Sequence, residues 1–223
     1  RFVEIPVSDA TASATERHVS ATINGDGQVE AQVEMKLTGQ RALAFRNETV
    51  DATRDEQRQR IAAQVRNALP TAAIDETSDV VANPRTAAAP VAASYHFSAP
   101  QFATRTEKRL LVRPALLSRR DEWLFTAPRR TNNVYFDYPW SENERVVIEA
   151  PQGYLPEALP RTIEIDMGAA RYRASFTGDG HRVIYERRLI VNAINFTAAQ
   201  YDVVREFFNR VLQADRTAIS FKQ

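Results

Sequence analysis

Through most of the chain apolar and polar residues alternate with a period of two. Val19, Ala21 and Ile23 alternate with polar neighbours, and Val29, Ala31, Val33 and Met35 repeat the pattern. Such alternation predicts strands with one buried face. Residues 15–23 and 28–37 flank Asn24-Gly25-Asp26-Gly27, and residues 171–177 and 181–191 flank Gly178-Asp179-Gly180. Glycine supplies the positive φ that a tight hairpin turn needs. Further strand candidates are 93–97, 108–112, 134–138, 146–150, 162–166 and 217–221.

Two segments break this rhythm with a helical one. In 53–69, Ile61, Val65 and Leu69 recur at spacing four, and Ala62 and Ala68 widen the stripe. Thr53 and Glu56 have capping-box spacing, and Pro70 ends the segment. In 197–215, Tyr201, Val204, Phe207, Phe208, Val211 and Leu212 form one apolar face, and Thr197 and Gln200 repeat the capping-box spacing. At 1.5 Å per residue each helix is about 24 Å long, enough to lie across a sheet.

These elements predict a mainly β fold. It is expected to be an antiparallel β-sandwich, jelly-roll-like, in two lobes, with two amphipathic helices packed on the sheets. The first lobe spans 1–130 with helix 53–69, and the second spans 131–223 with helix 197–215. The break falls near Pro128 to Asn133, and the proline- and alanine-rich run from Asn83 to Ala92 reads as a linker. A hairpin around Gly-Asp-Gly, a capped helix and a strand follow one another in both the first and last thirds. Duplication and convergent use of common turn chemistry both account for that echo.

Composition narrows the function more than the fold. The 223 residues carry a formal net charge of +1, without the basic excess of a nucleic-acid binder, so no nucleic-acid partner is expected. No run of about 20 apolar residues occurs, so no membrane span is expected. Cysteine is absent, which removes thiol nucleophiles, disulfides and Cys-based metal sites. It suits an oxidising compartment and the cytosol alike. The chain opens on Arg1-Phe2-Val3-Glu4-Ile5-Pro6, already strand-like, and reads as a piece of something longer.

Familiar catalytic motifs are missing: no nucleophile elbow, phosphate-binding loop, dinucleotide fingerprint or H-E-x-x-H. His18, His96 and His181 lie far apart on strand candidates, and Asp51 and Asp55 sit where a helix dipole favours negative charge. No catalytic residue, metal or cofactor is therefore expected. The stretch 123–140 holds the candidate ligand-binding residues Trp123, Arg129, Arg130, Tyr135, Tyr138 and Trp140, with Phe125 and Phe136 among them. Aromatic rings interleaved with arginine can stack on sugars or grip a peptide. The same rings can equally pack a core.

The last third carries an ordered set of residues. Pro151-x-Gly153-Tyr154 follows an apolar strand, then come Leu159-Pro160, the Gly178-Asp179-Gly180 hairpin, Tyr185-x-Arg187, Phe196, Tyr201, Arg205-x-Phe207 and Ile219-Ser220-Phe221-Lys222. This order resembles the C-terminal region of bacterial secreted transglutaminase-like proteins, in which β regions flank a papain-like core. Asp26-Gly27, Gly39 and Arg46 resemble the segment that follows that core. The family's triad is Cys, His and Asp, and a chain without cysteine can carry over none of it. The resemblance implies a non-catalytic accessory region, extracytoplasmic and periplasmic. Its implied partners are the transglutaminase-like core of the same parent chain and a peptide or cell-envelope glycan. The rival reading is a carbohydrate- or peptide-binding module using 123–140.

Overall fold

A computed structural model of the chain describes residues 8–75, 89–119 and 122–223. The first hairpin is β1 (Ala14–Ile23) and β2 (Val29–Leu37), followed by α1 (Gly39–Thr49) and α2 (Arg54–Ala68). Then come β3 (Ala73–Ile74), β4 (Val91–Ala99), β5 (Thr104–Thr106), β6 (Arg109–Val112) and β7 (Val134–Tyr135). The second half holds β8 (Trp140–Glu149), β9 (Leu155–Pro156), β10 (Ile163–Asp166), β11 (Ala170–Asp179), β12 (Arg182–Val191) and β13 (Asn195–Phe196). A 3-10 turn at Ala198–Gln200 leads into α3 (Tyr201–Asp215), and β14 (Ile219–Lys222) follows.

Eight strands form the main sheet in the order β10-β11-β12-β8-β1-β2-β4-β3. A smaller sheet has the order β5-β6-β14-β9, and β7 and β13 make a two-stranded ribbon. The fold is thus mainly β, open and sandwich-like, as the alternation predicts. Among the described residues every strand pair is antiparallel except β1 with β8, which run parallel in the register Val19↔Val146 and Ala21↔Ile148. The main sheet takes strands from both sides of the break at 130/131.

The main sheet is buried on one face only. Val19, Val33, Tyr95, Val146 and Tyr185 occupy one cross-strand row of the inner face, all at most 3% exposed. The next positions along the strands, such as Ser20, Gln32, Arg145 and Glu186, face outward and carry ion pairs such as Arg145–Glu186 and Arg173–Glu164. The inner face is continuous with Phe207 and Val211 of α3 and with Leu110, Val112, Ile219 and Phe221 of the small sheet in one hydrophobic core.

Both predicted helices form with the expected boundaries. Thr53 caps α2, with Glu56 returning the bond to the Thr53 N–H at 2.7 Å. Gln200 accepts from the Thr197 N–H at 2.9 Å before α3. A third helix, α1, was not predicted. Its buried positions Ala42, Phe45, Arg46 and Thr49 keep helical spacing, but two of the four are polar, which hides the stripe. β8 begins at Trp140 rather than 146, because its first half is polar yet buried. Of the run read as a linker, 83–88 lie outside the described residues, and Val91 and Ala92 belong to β4. The strand-like opening at 1–6 also lies outside them.

Candidate functional site

Two charged positions on β8 point the wrong way for a solvated strand. Glu142 and Glu144 share the inward parity of Val146 and Ile148, and both are buried. Register builds a row around them. Glu144 lies directly between Arg187 on β12 and Arg17 on β1, so the signs alternate across three neighbouring strands.

Arg187 is held on several sides. Its Nε and Nη2 donate to Asp215 Oδ1 and Oδ2 at 2.8 and 2.9 Å, and Nη1 donates to Glu142 Oε2 at 3.3 Å. The Tyr172 hydroxyl donates to Asp215 Oδ1 at 2.7 Å, and the guanidinium lies 5.4 Å from the centre of that tyrosine's ring. Burial alone would drive the charge off Arg187, but the Asp215 carboxylate outweighs it and raises the pKa. Burial, reinforced by the Asp215 charge, raises the pKa of Tyr172. Burial, with Tyr172 beside it, raises that of Tyr185. Arg41 of α1 reaches the other oxygen of Glu142 at 3.5 Å and covers the Trp140 ring at 4.9 Å. Charges out of water are tolerable only when paired and hydrogen-bonded in this way.

Glu144 does a different job. Its Oε1 accepts from the Leu117 N–H at 2.8 Å and its Oε2 from the Ser118 N–H at 3.3 Å, which pins the segment after β6 to the sheet. Burial raises its pKa, and Arg17 and Arg187 oppose that rise.

Beside this network lies a cleft of about 590 Å³. It is lined by Gln64 and Asn67 of α2, by Arg17 of β1 and Glu142 of β8, by Ser118 and Arg119, and by Glu122, Trp123 and Leu124.

The six residues singled out in 123–140 do not converge. Trp140 is buried under Arg41, with the half-buried Tyr138 ring 6.0 Å from the same guanidinium. Trp123 is 43% exposed at the cleft, with Arg216 5.9 Å from its ring. Arg130 lies over Phe125 and Tyr201, Arg129 is exposed, and Tyr135 is exposed on β7. Their neighbours Phe125 and Phe136 both pack on Phe208 of α3. His18 and His96 face outward from β1 and β4, and His181 meets Glu149 at 3.1 Å. Among the described residues no group of three His, Asp or Glu side chains could hold a metal, and no helix is long and apolar enough to cross a membrane.

The sequence pattern marks Arg187 only within Tyr185-x-Arg187, with no role assigned, and passes over Arg17, Glu142, Glu144 and Asp215. A signal existed: on β8 and β12 these charges fall on the parity of the apolar residues.

A solved structure, described as that of a "putative protease" from Parabacteroides distasonis ATCC 8503, is similar at 17% identity with a TM-score of 0.45. The match covers 53% of this chain and 24% of that one. No curated protein matches. Residues 108–221, which hold β6 to β13, α3 and most of β14, match the family described as "Domain of Unknown Function with solved-structure structure". The match spans half of the sequence, and the chain belongs to this family, DUF3858.

Proposed function

We propose that the chain is a non-catalytic accessory region of a transglutaminase-like cell-envelope protein, working in the periplasm to support the catalytic core or to bind substrate or a partner. One observation carries the reading. The buried charges of the β8–β12 row are engaged in holding the fold: Arg187 with Asp215 and Glu142, and Glu144 with the backbone of Leu117 and Ser118. Such an arrangement fixes a helix end and a loop onto a sheet. The absence of cysteine adds that transglutaminase chemistry would have to come from another segment. The sequence resemblance supplies the parent.

The test is an assay of the purified chain for amine incorporation into a glutamine donor and for peptide hydrolysis, together with the full reading frame of its gene. No turnover, and a Cys/His/Asp core in the same frame, are expected. Turnover that survives repurification overturns the non-catalytic reading. A frame without such a core overturns the parentage.

A further inference from the structure

We propose that the cleft between α2 and Trp123 binds a short peptide through its free carboxylate, with Arg17 as the anion-binding group. At about 590 Å³ the cleft lies within the roughly 300–1,000 Å³ typical of small-ligand sites.

Arg17 carries the argument. It is half-buried in the lining of the cleft, and among the described residues its guanidinium makes one long hydrogen bond, from Nη1 to Ser118 Oγ at 3.5 Å. Among the described residues, two buried carboxylates close to it hold other partners. Glu144 faces Arg17 across the strands, but both of its oxygens accept backbone N–H groups. Glu142 is engaged by Arg187 and Arg41. Arg17 shares its charge with Glu144 across the strands but keeps guanidinium donors beyond the long Ser118 contact, and such a fork of donors is what a carboxylate needs.

The other walls select a peptide over a simple anion. The side-chain amides of Gln64 and Asn67 each offer a donor and an acceptor, the pattern that a peptide bond requires. Trp123 and Leu124, 43% and 45% exposed, provide apolar surface for a side chain. Glu122, also in the lining, disfavours a polyanion and suits an ammonium. The proposal does not depend on the accessory reading, since binding is measured on the chain alone and needs neither turnover nor a parent core.

The test uses tryptophan emission of the 223-residue chain. One of its two tryptophans is at the cleft and the other is buried. Alanyl-alanyl-leucine is titrated to about 10 mM, a range that captures weak binding, beside its C-terminal amide and glucuronate. The free acid is expected to shift the emission saturably, and the amide to bind about tenfold more weakly, as loss of one charge-assisted hydrogen bond implies. Arg17→Gln should remove that difference. Because Arg17 also faces Glu144, a second variant guards against misfolding. Asn67→Asp, on the exposed side of α2, should weaken the free acid by about threefold or more through like-charge repulsion. The proposal is overturned by an unsaturable response, by equal binding of acid and amide, by Asn67→Asp binding as tightly as the parent, or by glucuronate displacing the peptide.

Discussion

Arg187 and Asp215 meet through two parallel hydrogen bonds of 2.8 and 2.9 Å, with both side chains at most 4% exposed. The pair ties the middle of β12 to the last residue of α3. Removing one partner strands a buried charge and costs about 3–5 kcal/mol, whereas replacing both with apolar groups is often neutral. Arg187→Met and Asp215→Asn are each expected to lower stability by that amount in urea denaturation. Arg187→Met combined with Asp215→Leu is expected to recover part of the loss, since Glu142 keeps Arg41. Single variants within about 1 kcal/mol of the parent would contradict a structural role for the pair.

Glu144 and Glu157 respond to acid in opposite senses. Burial raises the pKa of Glu144 above its ordinary 4.5, with Arg17 and Arg187 facing it. Its contribution to stability is therefore fully present below pH 4.5 and is lost as pH rises through the raised value. Glu144→Gln should compare best with the parent at neutral pH and lose ground as pH falls. On the surface, hydrogen bonds from Arg109 and Ser220 hold Glu157 down at about 2. Its contribution is present above pH 4.5 and disappears as pH falls toward 2. The difference between parent and Glu157→Gln should vanish over that window. Urea midpoints across the pH range check both.

Gly27 and Gly153 both have positive φ, +83° and +88°, but their surroundings differ. A side chain at Gly27 would put its Cβ 2.5 Å from the Ala103 carbonyl, against backbone, while Gly153 faces open space. Gly153→Ala is expected to cost only the left-handed conformation, about 1–2 kcal/mol. Gly27→Ala should cost clearly more, because the close approach that lets the Ala103 N–H reach Gly27 O at 2.9 Å must open. Equal losses of melting temperature would contradict this ranking.

Trp123 and Trp140 belong to one sequence stretch but play unequal parts. Trp140→Ala empties a buried site beneath Arg41 and should cost about 3–5 kcal/mol. Trp123→Ala should stay within about 1 kcal/mol of the parent. Thermal denaturation separates them. A ligand lost on Trp140→Ala alone would therefore report damage to the fold.

What was legible in the sequence followed periodicity. The strands with clean alternation, such as β2, and the helices with cap residues, α2 and α3, lie where the pattern puts them. The misses share one cause, the burial of polar side chains. Arg46 and Thr49 broke the apolar stripe of α1, and Glu142 and Glu144 disguised the first half of β8 as surface. Thr49 is satisfied within its own helix by the Phe45 carbonyl, but Glu142 and Glu144 are buried because partners far away in the chain satisfy them, as Asp215 does Arg187, and a local pattern holds no record of such partners. The aromatic stretch was visible as a run, but each ring's neighbour comes from a different element, so its division between core and cleft was not.

The parallel pairing of β1 with β8 also bears on how the family region can exist by itself. The matched stretch, 108–221, includes β8 but leaves out β1. Cut from the chain, it would present ten residues of β8 as a bare strand edge, with Trp140, Val146 and Ile148 and the two carboxylates Glu142 and Glu144 on its inward side. Such an edge is a template for pairing with another strand. In the intact chain β1 occupies that edge, from Ala14↔Ser141 to Thr22↔Glu149, so the first hairpin closes a strand edge that the matched stretch alone would leave open.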